Sequence, residues 1–235
     1  DDEIIKAIRS KKNSSMRLGI NAVKNKDAGA CVSAGNTGAL MALSKIILKM
    51  IPGIDRPAIC GSLPTKIGQC HILDLGANVE CDANHLYQFS ILGSALVQSL
   101  EINTRPVIGL LNVGSEEFKG NDTIKNAGQL MQGSKLNYAG FVEGDEIFNG
   151  NFDVIVSDGF AGNIALKSIE GVAKLISHFI KTEFNKSIFT KLAALISYPV
   201  MGAVKNKVDP RKYNGASLLG LQGVVVKSHG GADSY

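Results

Sequence analysis

Along this chain, short uninterrupted apolar runs alternate with longer stretches whose apolar residues recur at helical spacing, so the pattern predicts strands and helices in turn. The first helix is expected over residues 11–26, with Asn13, Ser14 or Ser15 near its start and Met16, Leu18, Ile20 and Val23 among its apolar positions. A short buried strand at 30–32 follows, then a helix at 37–50 that Pro52-Gly53 stops. The stretch containing Pro57 and Pro64 is expected to be irregular, ahead of a strand at 71–75 and a deeply packed, nearly all-apolar helix at 83–100. Strands at 107–111, 138–142 and 154–156 and a helix at 122–131 continue the alternation, which implies βαβ units around a mainly parallel sheet. The last third changes character. Helices are predicted at 164–184 and 188–204, the second interrupted at Pro199, and together they form a helical hairpin at about 164–204.

Four strand-like runs stop at turns of small polar residues: Ser33-Ala34-Gly35-Asn36-Thr37-Gly38, Gly76-Ala77-Asn78, Asn112-Val113-Gly114-Ser115 and Ser157-Asp158-Gly159-Phe160-Ala161-Gly162-Asn163. A strand that enters a helix through such a turn aims backbone N–H groups and the positive end of the helix dipole at one point. In an open parallel sheet those points share the carboxyl edge, so the pattern predicts an anion site there, with phosphate as the anion. Residues 27–40 and 153–167 also echo each other: an Asp, an apolar run, a Ser, then a Gly-Asn pair before a helix. Ordinary turn chemistry accounts for one such junction; four of them favour a site. Lys167 lies one helical turn beyond Asn163, placed either to offset a phosphate or developing oxyanion or to sit in solvent as most lysines do. Asp158 reads as a helix cap or as a group that orients this Lys, with capping favoured by its spacing.

No G-x-G-x-x-G follows a strand and no Walker motif is present, which disfavours the usual dinucleotide fold and a P-loop NTPase. His71, His85 and His178 read as structural, whereas His229, in the Gly-flanked turn after the apolar run 224–226, is a candidate site residue. Cys31 is a conceivable acyl-accepting nucleophile, but no His neighbour is evident and burial raises a thiol pKa.

Composition narrows the classes further. The 235 residues, 45% of them hydrophobic, are enough for one large α/β domain or two small ones. The 25 Lys and Arg against 21 Asp and Glu leave +4, mild for a nucleic-acid binder, and the excess gathers around the hairpin at Lys186, Lys191, Lys205, Lys207, Arg211 and Lys212. Four cysteines without a C-x-x-C pair suit free thiols in a reducing cytoplasm, and no metal-ligand spacing is present. No stretch reaches the ~20 apolar residues of a membrane span. Because Asp1 is not Met and Tyr235 follows a Gly-rich turn, the chain is expected to be part of a longer one. The hairpin has three readings: a buried core element, a dimer-forming bundle, or a basic, apolar tip that faces a membrane.

An ordered set of motifs resembles a known family. Lys11-Lys12-Asn13-Ser14-Ser15-Met16, Ser33-Ala34-Gly35-Asn36-Thr37-Gly38-Ala39, Gly53-Ile54-Asp55-Arg56-Pro57, Asp74-Leu75-Gly76-Ala77-Asn78, Leu110-Leu111-Asn112-Val113-Gly114 and Asp158-Gly159-Phe160-Ala161-Gly162-Asn163 are similar to the bacterial phosphate acyltransferases of phospholipid synthesis, across essentially the whole chain. The resemblance implies a three-layer αβα fold of the isocitrate and isopropylmalate dehydrogenase type, one domain over 1–235, and a homodimer whose hairpins meet. It implies that inorganic phosphate attacks the thioester of a long-chain acyl carrier protein and releases acyl phosphate, for use by a glycerol-3-phosphate acyltransferase. It also implies no cofactor, no nucleic-acid partner, and a cytoplasmic location at the inner face of the cytoplasmic membrane. The family's N-terminal strand with its Ala-Met-Gly-Gly-Asp turn is missing, as is a C-terminal helix after Ser234. On this reading Lys167 and Asn163 are catalytic, while Ser33, Gly35, Asn36, Thr37, Gly38, Asn78, Asn112, Asp158, Gly162 and His229 line the phosphate and substrate site. A phosphotransacetylase-like enzyme using acyl-CoA and a nicotinamide-dependent decarboxylating dehydrogenase of the same fold are the alternatives.

Overall fold

A computed structural model describes residues 12–208 and 215–228. Helix α1 spans Ser15–Lys24 and is capped by Ser14, whose side chain accepts from the Arg17 amide. Strand β1 (Ala30–Ser33) leads into α2 (Thr37–Leu48), and β2 (Ala58–Thr65) forms a hairpin with β3 (Gly68–Leu73). Helix α3 (Ala83–Ser99) begins at a capping box between Asp82 and His85, and β4 (Val107–Leu111), α4 (Asp122–Gln132), β5 (Asn137–Val142) and β6 (Val154–Val156) follow. Helices α5 (Gly159–Phe184) and α6 (Ile188–Val208) form a hairpin in which α6, contrary to the interruption expected at Pro199, runs unbroken through that proline, and β7 (Ala216–Leu219) and β8 (Val224–Lys227) return to the sheet.

The eight described strands make one sheet in the order β1-β8-β7-β2-β3-β6-β4-β5. Its two faces carry separate cores. On one, α1, α2 and the first turns of α5 cover Ile59, Ile72, Ile155 and Val225, with Leu166 and Ile169 packed against the cluster. On the other, α3 and α4 cover Cys60, Leu73, Ile108, Leu110 and Val154, centred on the fully buried Phe89. These are the three expected layers.

Two further expectations, about the sheet, are corrected. The stretch with Pro57 and Pro64 is not irregular, since β2 occupies most of it and pairs antiparallel with β3 from Cys60 opposite Leu73 to Thr65 opposite Gly68. The carboxyl ends also do not share one edge. Strands β3, β6, β4 and β5 are mutually parallel, but three antiparallel pairings, β3 with β2, β2 with β7 and β7 with β8, separate them from β8 and its parallel neighbour β1. The turn after β1 therefore lies at the edge opposite the turns after β3, β4 and β6.

His71, only 4% exposed on β3, meets the Ser62 hydroxyl through Nδ1 at 3.0 Å, while among the described residues its Nε2 has no hydrogen-bond partner. Burial holds its pKa below the usual histidine value, against the pull of nearby Asp153. Below the unfolded-state pKa of ~6.5 the unfolded chain binds the proton more readily than the folded one, so stability declines from there until the folded-state pKa is passed. The expected slope is at most about 1.4 kcal/mol per pH unit from this group. Urea unfolding of the native protein and His71→Gln at successive pH values between 7.5 and 5 should show the native protein losing more; parallel curves would remove His71 as the cause.

Candidate functional site

The turn after β3 is built on one buried carboxylate. Asp74, fully buried, accepts from the amides of Ile59 at 2.9 Å, Ala77 at 3.1 Å and Asn78 at 2.6 Å, and from the Asn78 side chain at 2.8 Å. Burial raises its pKa, and the four donors oppose that rise. Asn78 is itself buried and also donates to the Pro57 carbonyl at 2.8 Å, so its amide braces the turn. Gly76 adopts φ +118, where a side chain is strained.

Helix α5 starts directly against this turn. The Gly159 amide donates to the Asn78 carbonyl at 2.7 Å, and Asp158 caps the helix by accepting from Ala161 at 2.7 Å. Of the two readings of Asp158, the geometry takes the cap. A Cβ on Gly159 would lie 2.6 Å from the Asn78 carbonyl oxygen, and one on Gly162 would lie 2.0 Å from the Asp74 carbonyl oxygen. Both glycines therefore let backbone meet backbone. Asn163 is exposed, and its side chain stands over Gly76, 3.4 Å from where a Cβ would be.

At the opposite edge, Asn36 caps α2 by accepting from Ala39 at 3.0 Å, and the Ser33 hydroxyl accepts from Gly35 at 3.2 Å. Gly35 and Asn36 are exposed, and Ser33, Thr37 and Gly38 are half-buried. First-turn amides of a helix have no intrahelical acceptor, so this turn presents donors. Beside it, Lys227 ends β8 in register with Ser33, and the Ser228 amide donates to the Ser33 carbonyl at 3.0 Å.

Helix α5 joins the two edges. Lys167 stands eight residues beyond Gly159, about 12 Å along the axis. There its charge reaches Lys227, whose ammonium pKa is pushed down first by burial and then by Lys167. The Lys167 ammonium meets Glu170 at 2.9 Å, and that of Lys227 meets the Ser228 carbonyl. Leu166 and Ile169, on either side of Lys167 along α5, pack against the apolar cluster that holds Val225 of β8, so the cation of Lys167 lies on the same face of the sheet as the strand that Lys227 ends, and an anion near both relieves their repulsion. The sequence pattern alone does not single out Lys227; its signal is a Lys closing an apolar run whose strand pairs with β1.

The other candidates are placed differently. Asn112 donates to the carbonyls of Gly114 and Lys119, both at 3.1 Å, and so is occupied in its own loop after β4. His229 lies outside the described residues. Cys31 is buried and its thiol pKa is raised by that burial, which disfavours a thiolate nucleophile; Cys60, Cys70 and Cys81 are pushed up to about 12. Among the described residues no three His, Cys, Asp or Glu side chains converge to hold a metal ion.

Comparison with known proteins bears on this geometry. A family model described as "Fatty acid synthesis protein" matches residues 1–235. The chain is 59% identical over 234 residues to a phosphate acyltransferase of Methylococcus capsulatus, covering all of this chain and 69% of that protein. It is 58% identical over 236 residues to a phosphate acyltransferase of Hydrogenovibrio crunogenus, covering all of this chain and 70% of that one. Among solved structures it resembles the EutD phosphotransacetylase of Staphylococcus aureus, with TM-score 0.58 and 17% identity over 92% of this chain and 62% of that one. It also resembles a 4-hydroxythreonine-4-phosphate dehydrogenase of Klebsiella pneumoniae, with TM-score 0.52 and 11% identity over 91% and 59% of the two chains. The structural likenesses establish a shared fold, and the sequence relatives go further: this chain belongs to the phosphate acyltransferase family.

Proposed function

We propose that the enzyme transfers a long-chain acyl group from an acyl carrier protein thioester to inorganic phosphate. A phosphate oxygen attacks the thioester carbonyl, the new C–O bond forms, and the C–S bond breaks. The products are acyl phosphate and the carrier thiol, which takes the proton that hydrogen phosphate brought. The observation that supports this reading is the course of α5: Asn163 stands over Gly76 in the turn after β3, and one turn further on the neighbours of Lys167, Leu166 and Ile169, pack against the cluster that holds Val225 of β8, the strand beside β1. Amides of residues 33–38, with Asn36 and Thr37, orient phosphate, Gly162 holds the helix close, and Lys167 offsets the oxyanion of the tetrahedral intermediate. An exposed ion pair is worth at most about 1 kcal/mol, so Lys167 exchanges Glu170 for phosphate at little cost.

Lys167→Ala is expected to lower kcat by roughly 10²-fold, on the scale of a lost oxyanion donor. The assay is phosphate-dependent loss of acyl carrier protein thioester, with acyl-CoA and NAD in parallel. Unchanged turnover in the folded variant removes Lys167 from the mechanism. Preference for acyl-CoA favours the phosphotransacetylase-like alternative, and NAD reduction favours the dehydrogenase.

The hairpin supports the proposed partners. Phe189 and Ile196 are 80% and 81% exposed, and Phe179, Leu195 and Tyr198 also face outward near Lys186 and Lys191. No described helix is long and apolar enough to cross a membrane. We read this apolar surface as the homodimer contact and its basic tip as a peripheral contact with the inner face of the cytoplasmic membrane, where a glycerol-3-phosphate acyltransferase consumes the product. A monomer in sedimentation, or no cosedimentation with anionic vesicles, removes the corresponding role.

A further inference from the structure

We propose that Lys227 is a second cation of the phosphate site, holding one phosphate-class oxyanion jointly with Lys167 and the amides of the β1–α2 turn. The inference rests on the function proposed above and adds a residue to it.

Three observations converge. Lys227 is fixed on backbone, because β8 pairs with β1 on one side, Lys227 opposite Ser33, and with β7 on the other, Lys227 opposite Ala216. Its side chain is half-buried, its ammonium donates to the neighbouring Ser228 carbonyl, and among the described residues no carboxylate pairs with it. Lys167 belongs to α5, which starts against the turn after β3 and whose Leu166 and Ile169 pack against the apolar cluster that holds Val225 of β8; its charge adds to the burial that lowers the Lys227 pKa. Like charges brought together by separately anchored elements repel, and burial strengthens the repulsion. Glu170 pairs with Lys167 at 2.9 Å and answers only one of the two charges. A doubly charged oxyanion between them offsets both and also takes up the first-turn amides of α2.

Two sources supply a phosphate-class oxyanion: inorganic phosphate, which as the dianion offsets both charges, and the phosphodiester of the carrier protein's prosthetic arm, which carries one negative charge and offsets half of them. The experiment compares the native enzyme with Lys227→Met, which keeps an unbranched apolar stem, and Lys227→Arg, which keeps the charge. KM for inorganic phosphate and for the carrier thioester are measured, together with the rise in Tm that inorganic phosphate produces without thioester. Lys227→Met is expected to raise the phosphate KM roughly tenfold or more and to shrink the Tm rise, with Lys227→Arg retaining most of both. A raised KM for the carrier thioester alone assigns the same cation pair to the carried phosphodiester. If folded Lys227→Met keeps both KM values and the full Tm rise, the inference is overturned. A native enzyme that binds phosphate yet cleaves no thioester overturns the functional reading instead, and the Tm comparison still decides the role of Lys227.

Discussion

Gly162→Ala is expected to reduce phosphate-dependent thioester cleavage by at least about 10²-fold, a loss out of proportion to the single methyl group added. The new Cβ would sit 2.0 Å from the Asp74 carbonyl oxygen and 2.6 Å from the Ser157 hydroxyl oxygen. The Ser157 hydroxyl can rotate, but the Asp74 backbone cannot follow, since its side chain is bound by four donors from β2 and its own turn. Helix α5 must then lift, and Asn163 and Lys167 lift with it. A displacement near 1 Å in positioning groups is enough for a 10²-fold loss, and overpacking of this kind costs about 1–3 kcal/mol of stability as well. Gly171→Ala on the same helix is the control: nothing lies within 4 Å of its added Cβ, and helix propensity favours alanine by about 1 kcal/mol. Steady-state kinetics and thermal melts on both variants check the contrast, and equal activity in the two would show that close helix approach is not what the site requires.

Asp74→Ala is expected to cost about 4 kcal/mol or more, because it leaves four donors without their acceptor at a cost of roughly 1–3 kcal/mol each, partly recovered by relaxation and water. Domains of this kind have about 5–15 kcal/mol in total, so the variant is expected to be partly unfolded at physiological temperature. Asp74→Asn loses less, since one oxygen remains to accept while the new amide faces donors from Asn78. Urea unfolding measures both. A loss below about 1 kcal/mol for the alanine variant would mean that the turn after β3 does not depend on this carboxylate.

Much of this structure is legible in the order of residues, and the exceptions have physical reasons. Ser14 and Asp158 mark helix starts because a short polar side chain caps free amides, and the apolar runs at 107–111 and 154–156 are strands with the predicted bounds. Strand β2 escapes notice because Pro64 argues against a strand. The pairing of β2 with β7 covers only Ala58 to Cys60, so at Pro64 that side of the strand is open and its missing N–H breaks no ladder. Strand β7 is four residues long, too short to carry a period of its own. Without these two antiparallel strands the reversal of β1 and β8 is invisible, and all junction turns look as though they share one edge. Local geometry bears on the candidate residues unevenly: Gly162 lets α5 approach the Asp74 backbone and Asn163 stands over Gly76, whereas the Asn112 side chain is occupied within its own loop. Lys227 depends on which strand lies beside β1, a long-range fact that no local motif encodes.

The adjacency of β1 and β8 also sets an order of events. Ser33 and Lys227 stand side by side although most of the chain separates them, so closing the sheet at this margin demands one of the longest-range pairings the fold contains. During synthesis the earlier strands and helices can gather their apolar surfaces while this margin is still unfinished. The meeting of Ser33 and Lys227 therefore waits for β8 to be made, and a product cut short before that strand would leave β1 without its parallel neighbour.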